Sequence, residues 1–470
     1  MKRRVYGVET EFGINYHNPD AKPLTPEEVA RYLFKPVVRW GRSSNVFIPN
    51  GARLYLDVGS HPEYATAECD NLLDLIAQDK AGEWIFSKLV AQAQQAMAED
   101  GFHGRVFLLK NNTDSKGNSF GSHENYLIPR KTEYRRLTEI LIPFLVTRQF
   151  LAGAGRVVPA TEEQPAHFSF SQRADFVLDA VSSATTRSRP IINTRDEPHA
   201  DASLHRRLHV IVGDSNMSET TQLLRFGSTE IILRMIEEGV IFGDKRIANP
   251  IRAIQELSHD MTGQTLIQLA TGETISGLDL QEFFLEKAKS FIAKEGPHHE
   301  HVEPVLELWE KVLTAVRSED YSSIETDIDW AIKHKLLVAY QEKHGLDWAD
   351  PRIRQLDFTY HDIDPARGLF NVLQARGQAT RVLTDSDIGH AMEHAPATTR
   401  AALRGRFVNE THARGEDINV DWVHMRANNK PIELVLVKDP FQTESEKMDR
   451  LIELLGEPDP DYQHPDWLRA

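Results

Sequence analysis

Two stretches decide the fold, RRVYGVETEFG at residues 3–13 and ARLYLDV at residues 52–58. Each alternates polar with apolar residues, a pattern typical of strands that bury only one face. Similar segments recur at 105–110, 122–128 and 206–213, with helical patterns between them. Such strands suit a sheet that is covered by helices on one side and open on the other. We therefore predict an α+β fold with a largely antiparallel sheet.

Helix signals divide the rest of the chain. Thr25, Pro26 and Glu28 form a capping box, which predicts a helix start, and Gly101 is placed to end a long helix beginning near residue 70. Further predictions are helices near 133–152, 218–238 and 443–455, a helix ending near Gly415, and strands near 418–424 and 432–437. Because 470 residues exceed one ordinary core, we predict a large domain of residues 1–397 and a small α/β domain of residues 398–470.

Composition limits the range of functions. The formal charge is −16, from 70 acidic and 54 basic residues, which argues against binding to nucleic acid or to an anionic membrane. The single cysteine, Cys69, excludes an intrachain disulfide and fits a reducing cytoplasm. No stretch resembles a signal peptide or is apolar and long enough to span a membrane. We expect a folded, cytoplasmic protein.

The first strand places two carboxylates side by side. Glu9 and Glu11 share one face, because residues two apart in a strand point the same way. A divalent cation would cancel their repulsion, and oxygen-only ligation suits Mg²⁺ or Mn²⁺. Taken alone, such a pair is explained more simply as part of a solvated acidic strand. The residues on neighbouring strands therefore decide between the two explanations.

The second strand supplies those neighbours. Arg53, Tyr55 and Asp57 lie on its polar face, where they offer a phosphate fork, an oxygen ligand and an acid or base. Glu63 adds another carboxylate, and Thr66 precedes the long helix, whose N-terminus favours phosphate. Plain helix capping is the alternative for Thr66. These residue types predict a site for a metal and a phosphorylated ligand.

Two later strands add imidazoles and amides to the candidates. His123 and Asn125 share one strand face, as do Arg207 and His209, and both pairs can face the same cleft. Structural roles for the two histidines remain the alternative. Neither a P-loop nor a Gly-x-Gly-x-x-Gly turn after a strand is present, so any bound ATP would lie on the sheet.

A dense set of arginines stands out in this acidic chain. The set comprises Arg187, Arg189, Arg195, Arg206 and Arg207. Guanidinium forks match phosphate and carboxylate, so the set predicts oxyanion binding, and surface ion pairs are the competing explanation. We favour the functional interpretation for Arg195.

Four longer motifs together resemble the Pup-protein ligase family. They are GVETEFG at 7–13, RLYLDVGSHPEYAT at 53–66, SHENY at 122–126 and RPIINTRDEPH at 189–199. The resemblance covers nearly the whole chain and implies a large domain related to glutamine synthetase and other carboxylate-amine ligases. In that family ATP phosphorylates the side-chain carboxylate of the C-terminal Glu of Pup, a small ubiquitin-like modifier. A lysine of a target protein then displaces phosphate, and the resulting isopeptide bond marks the target for the proteasome.

The resemblance also implies a role for each matching residue. Glu9, Tyr55 and Glu63 would bind Mg²⁺, Arg53, Thr66 and Trp422 would contact ATP, and Asp57 would be the catalytic base. Glu11, His123, Arg195 and His209 match further active-site positions. A base is needed because a lysine ammonium, with a reference pKa of about 10.4, becomes nucleophilic only after losing a proton.

The nearest rival to a ligase is the depupylase of the same family, which hydrolyses the isopeptide bond and deamidates Pup. It resembles the ligases but carries an extra loop between the first glutamate strand and the arginine-tyrosine strand. Here the segment from Gly13 to Arg53 has no room for a long insertion after its helix, so we favour the ligase. A small-molecule γ-glutamyl ligase is a second rival, and a noncatalytic ATP-binding scaffold is a third.

Overall fold

A computed structural model describes residues 1, 3–19, 24–57, 59–114, 117–184, 189–428 and 434–470. In its first half the strands are β1 (Tyr6–Glu11), β2 (Gly13–His17), β3 (Asn45–Phe47), β4 (Arg53–Leu56), β5 (Pro62–Ala65), β6 (Arg105–Leu109), β7 (Ser122–Pro129), β8 (Arg156–Val158) and β9 (His167–Ser169). The later strands are β10 (Asp179–Ser182), β11 (Pro190–Asn193), β12 (His205–Val210), β13 (Leu266–Gln268), β14 (Thr274–Ser276), β15 (Ile418–Val420), β16 (His424–Ala427) and β17 (Val435–Leu436).

Helices lie between these strands and predominate from residue 250 to 393. The first seven are α1 (Pro26–Gly41), α2 (Leu72–Glu99), α3 (Tyr134–Thr147), α4 (Gln149–Ala152), α5 (Glu219–Glu237), α6 (Pro250–His259) and α7 (Gly277–Glu295). The others are α8 (Val302–Ser318), α9 (Asp329–His344), α10 (Pro351–Tyr360), α11 (Leu369–Ala375), α12 (Asp385–Glu393), α13 (Ala401–His412) and α14 (Glu446–Glu453). Among the described helices, none combines the length and the apolar character that crossing a bilayer requires.

One large sheet organises the molecule. In the described residues it has eight strands in the order β10-β11-β12-β7-β1-β5-β4-β3, and only β10 and β11 run parallel. β1 lies inside the sheet, so Glu9 faces His123 of β7 on one side and Ala65 of β5 on the other. The predicted α+β fold with a largely antiparallel sheet is confirmed.

Helices cover one face of this sheet and make buried polar contacts with its strands. Thr10 of β1 donates a hydrogen bond to Asp79 of α2 at 3.0 Å. Glu124 of β7 accepts two hydrogen bonds from Arg148, at 2.6 and 2.8 Å, and lies 3.0 Å from Arg225 of α5. Burial alone would raise the pKa of Glu124, but the two arginines lower it to about 2. The helical layer thus occupies one face and leaves the other for a ligand.

The C-terminal segment builds a small core of its own. Helices α13 and α14 pack with the antiparallel sheet β15-β16-β17 around an apolar cluster. That cluster includes Leu403, Phe407, Met425, Val435, Met448 and Leu451. The last residues return to the main core, where Trp467 is buried. The boundary between residues 397 and 398 therefore stays a prediction.

The N-terminal strand was predicted wrongly in its extent. Residues 3–13 are not one strand, because β1 ends at Glu11 and the chain bends at Phe12. The Phe12 ring is buried and packs at 5.0 Å against Phe86 of α2. After the bend the chain continues as β2, which pairs with β6 in a separate ribbon.

Two further local predictions were also wrong. The stretch 418–424 is a hairpin, because Asp421 accepts the amides of Val423 and His424 and turns the chain between β15 and β16. The predicted helix 133–152 divides at Arg148, whose side chain is held by Glu124. Part of the predicted strand 432–437, and Arg187, lie outside the described residues.

Candidate active site

The open face of the main sheet gathers charged and aromatic side chains from five adjacent strands. Side chains of directly paired residues point to the same face, and the register pairs Tyr55 with Glu63 and His209 with Asn125. The residues brought together are Glu9, Glu11, Arg53, Tyr55, Glu63, His123, Asn125, Arg207 and His209. Strand alternation also explains why Arg206 turns the other way and lies 4.8 Å over the Tyr134 ring.

Glu9 lies at the centre of this face and is held by basic and amide groups. Asn125 donates a hydrogen bond to it at 3.1 Å, and a guanidinium nitrogen of Arg207 lies 3.5 Å away. Ring nitrogens of His123 and His209 lie 3.5 and 3.8 Å from the same carboxylate. Burial alone would raise the pKa of Glu9, but His123, His209 and Arg207 hold it well below its usual range. Glu9 is therefore ionised and oriented.

A second group on this face consists of oxygen donors. Glu11, Asp57 and Glu63 can place one oxygen each within 4.8 Å of one another, and Tyr55 donates a hydrogen bond to Glu63. Burial, followed by the charges of Glu9 and Glu11, raises the pKa of Glu63 well above its usual value. Crowded, buried oxygen ligands of this kind fit a hard cation such as Mg²⁺, which would relieve their repulsion.

Asp57 lies just past the end of β4, at the turn into β5. Its amide donates to the carbonyl of His61 at 3.0 Å, and the turn uses left-handed backbone at Gly59 and Ser60. Glycine adopts that conformation freely, whereas it strains a serine. The turn presents the Asp57 carboxylate, which is only partly buried, beside Glu11 and Glu63. This position suits either a metal ligand or a base.

Two adjoining cavities lie against this face. One is lined by Gly7, Val8, Thr66, Tyr126 and other residues of the inner strands, and the other by Arg53, Tyr55, Arg195 and His209. They share five wall residues, which are Glu9, Ala65, His199, Arg207 and Trp422. The second has a volume of about 660 Å³, within the range of ligand clefts. A ligand can therefore extend from an apolar pocket into the charged cleft.

Trp422 is contributed by the turn between β15 and β16. Its ring meets Phe47 of β3 edge to face at 5.0 Å, and the guanidinium of Arg404 lies 4.9 Å over it. Arg404 also donates to the carbonyls of Gly51 and Trp422 at 3.1 Å. The sequence therefore places a C-terminal aromatic ring against the N-terminal strands.

A buried cluster fixes that arrangement. Glu68 accepts hydrogen bonds from Arg400 at 2.8 Å and from Arg404 at 3.2 Å, and both arginines are almost fully buried. Burial alone would raise the pKa of Glu68, but Arg404 and Arg400 lower it to about 2. Helix α13 is thus joined to the segment that follows β5 by an ionised carboxylate.

The remaining candidates from the sequence lie around the cavities. Arg53 donates to Asn45 at 2.7 Å and stacks at 4.7 Å over the Tyr55 ring. The Thr66 hydroxyl accepts the amide of Val8 at 3.1 Å, so it does not cap α2, whose N-cap is Asn71. The alternative of plain helix capping by Thr66 is therefore wrong, and its contact with ATP stays a prediction. Arg195 is half-exposed and lines the charged cleft.

The sequence did not single out several residues of this site. Phe47, Glu68, His199, Arg400 and Arg404 all line the cavities or support Trp422. Glu68, Arg400 and Arg404 are charged residues, and no sequence pattern separates them from charged residues on ordinary helices or loops. Glu68, close after the Glu63 motif, and His199, at the end of the motif at 189–199, offered a signal.

This fold and site define an α+β protein with an oxygen-rich cluster that could hold a cation, beside a basic, aromatic-walled cleft. A family profile described as "Pup-ligase protein" matches residues 4–426. The chain belongs to the Pup-ligase family.

Particular relatives agree with this assignment. The chain is 59% identical to a protein named Pup–protein ligase from Arthrobacter sp. (strain FB24) over 456 residues, which cover 97% of this chain and 100% of that protein. It is 53% identical to the protein of the same name from Mycobacterium marinum over 452 residues, which cover 96% and 99%.

Solved structures show the same similarity in three dimensions. The crystal structure of the complex between prokaryotic ubiquitin-like protein Pup and its ligase PafA matches with a TM-score of 0.92 and 45% identity, covering 97% of this chain and 91% of the other. The structure of the Pup ligase PafA in complex with ADP matches with a TM-score of 0.84 and 46% identity, covering 93% and 95%.

Proposed function

We propose that this protein is an ATP-dependent ligase that joins the C-terminal Glu of Pup to a lysine of a target protein. One observation carries the proposal: the carboxylate and tyrosine oxygens of β1, β4 and β5 meet the basic cleft beneath Trp422. A nucleotide, a cation and a carboxylate can all be held there. The relatives named Pup–protein ligase, and the related structures with Pup and with ADP, support the same activity.

In this proposal the base and the phosphates of the nucleotide bind in different cavities. Trp422 and Thr66 border the apolar pocket, which would take the base, and Arg53 lies in the charged cleft with the phosphates. Glu9, Tyr55 and Glu63 would hold Mg²⁺, which supplies charge neutralisation for the phosphates when bound. Glu9 is poised for this by its lowered pKa.

The first chemical step activates the terminal Glu carboxylate of Pup, which is otherwise a poor acyl donor. A carboxylate oxygen of the terminal Glu of Pup attacks the γ-phosphorus of ATP, ADP leaves, and an acyl phosphate forms. The chain contributes positioning and positive charge here, from Arg53, Arg195 and Arg207 around the cleft. This step needs no base.

The second step forms the isopeptide bond. The target lysine must first lose a proton, and in this proposal the partly exposed Asp57 carboxylate at the turn after β4 accepts it. The amine then attacks the acyl carbon, and phosphate leaves. Glu11 beside Asp57 also favours the approach of a cationic lysine side chain.

The connection between β2 and β4 favours a ligase over a depupylase. Helix α1 and strand β3 take up just over half of the segment between His17 and Arg53, and each stretch left between the elements is shorter than ten residues, so no long insertion lies there. The family resemblance implies that a depupylase would carry an insertion in this segment. We also infer that the protein works in the cytoplasm, and that residues 398–470 form a separate domain carrying Trp422.

The proposal is tested with purified protein, Mg²⁺, ATP, Pup ending in Glu, and a lysine-bearing acceptor. We expect ADP, phosphate and a covalent Pup adduct, and no adduct when the acceptor lysines are methylated. Release of free Pup from a preformed conjugate, without adduct formation from free Pup, would instead establish an amidase.

A further inference from the structure

We propose that Glu230, His298 and His299 form a second metal site, for a divalent transition metal such as Zn²⁺. Glu230 lies on α5, and the histidines lie in the segment between α7 and α8. The site shares no residue with the cavities of the candidate active site. Its carboxylate and imidazole donors suit Zn²⁺, whereas the oxygen cluster near Asp57 suits Mg²⁺.

The three ligand atoms are already close together. The Nε2 atoms of His298 and His299 lie 2.5 and 3.8 Å from the same Glu230 oxygen, and all three atoms lie within 4.8 Å. Ligands bound at about 2.0–2.2 Å in a tetrahedral zinc site are roughly 3.4 Å apart. The two observed distances lie on either side of that value. Each of the two histidine-to-glutamate distances therefore has to change by less than about 1 Å to reach that value.

Unpartnered nitrogen atoms provide an independent observation. In the described part of the chain, Nδ1 of His298 and Nε2 of His299 and His301 are buried without a hydrogen-bond partner. The His298 side chain is 7% exposed. Buried polar atoms are nearly always paired, and of these three nitrogens Nε2 of His299 is the one that the proposed site would use, so its missing partner points to an ion beside Glu230. His299 is 26% exposed, which leaves a path for an ion to enter.

A purely structural ion pair is the competing explanation. In it, His298 and Arg4, whose guanidinium lies 4.0 Å from Glu230, would simply stabilise a buried carboxylate. That explanation leaves Nε2 of His299 without a partner, because 3.8 Å is too long for a hydrogen bond. A metal ion would give both rings a ligand role.

The protonation state of His299 sets the expected affinity. Its Nδ1 accepts the amide of His301 at 3.2 Å, so the ring proton lies on Nε2 before metal binds. Metal binding must move that proton to Nδ1 and break the amide hydrogen bond. We therefore expect a dissociation constant of roughly micromolar size, weaker than a closed structural zinc site.

The proposal is tested by titrating the full-length protein with Co²⁺ and Zn²⁺ in excess Mg²⁺, which is added to fill the Mg²⁺ site proposed at Glu9, Tyr55 and Glu63. Calorimetry should show one equivalent of metal, and Co²⁺ should give visible absorption bands typical of nitrogen and oxygen ligation. His298→Ala and His299→Gln should each weaken binding at least tenfold. His344→Gln, at an exposed histidine of α9, is the matched control and should change nothing.

Metal should also raise the melting temperature of the wild type by a few degrees at saturation and leave His299→Gln unchanged. His299 is partly exposed, so this variant tests the site without removing a core side chain. Equal Co²⁺ affinity in the wild type and His299→Gln, or complete displacement of Co²⁺ by Mg²⁺, would overturn the proposal. Neither readout depends on ligase activity, so the result is independent of the proposed function.

Discussion

Replacing Glu68 with Gln should loosen the junction between α13 and the main sheet. The wild-type carboxylate is buried between Arg400 and Arg404, and the change leaves two guanidinium groups without their counter-ion. The pKa of Glu68 falls from an ordinary value of 4.5 to about 2 on folding. At about 1.4 kcal/mol per unit, this shift corresponds to roughly 3 kcal/mol. Breaking a buried ion pair typically costs about 3–5 kcal/mol, which agrees.

The pH dependence of this effect has a definite sign. A carboxylate whose pKa is lowered on folding stabilises the protein above its unfolded pKa and loses that contribution as pH falls towards the folded value. For Glu68 the window runs from 4.5 down to about 2. The difference between wild type and Glu68→Gln should thus be full at neutral pH and reduced to about half near pH 3.

Urea titrations followed by tryptophan fluorescence at both pH values measure this difference. Arg406→Met is the matched control. Arg406 lies on α13, as Arg404 does, but it pairs with Asp449 at 2.7 Å on the exposed surface. Such pairs contribute about 0–1 kcal/mol. If Glu68→Gln is as stable as the control at pH 7, or its deficit does not shrink in acid, the buried cluster does not act as described.

Four other outcomes can be checked directly. Asp57→Asn should reduce lysine transfer by about 10²–10⁴-fold with little change in ADP affinity, and calorimetry showing an equal loss of affinity would indicate a metal ligand instead. Trp422→Ala should weaken ADP binding by about 1–3 kcal/mol while Trp422→Phe retains most of it, measured by calorimetry. Glu124→Gln should lower the free energy of unfolding by about 3–5 kcal/mol in urea titrations, because Arg148 and Arg225 stay buried without a partner. Removal of Mg²⁺ with EDTA should abolish adduct formation, and added Mg²⁺ should restore it; adducts formed without any cation would contradict the oxygen cluster's role.

The sequence predicted the sheet face well because strand geometry is local. Alternation alone placed Glu9 with Glu11 and Arg207 with His209 on single faces, and the structure unites them. The order of strands is not local, so the sequence analysis did not predict that β1 lies between β5 and β7. The roles assigned to the candidate residues remain predictions.

Contacts between distant segments were beyond pattern analysis. The ring of Trp422 was indistinguishable from core packing until the hairpin at Asp421 placed it beside Phe47. Likewise, the pairing of Glu68 with Arg400 and Arg404 joins segments that no periodicity connects. Such contacts depend on tertiary packing, which overrides local propensity.

The position of Trp422 also affects when the site can form during protein synthesis. Strands β1 to β12 emerge from the ribosome well before Trp422, because translation runs from the N-terminus onward. Val210 and Trp422 are roughly two hundred residues apart, which at about 5–20 residues per second is roughly 10–40 s of translation. A nascent chain can therefore display the carboxylate face while one wall of its cleft is still unmade. Only a completed chain encloses a ligand there.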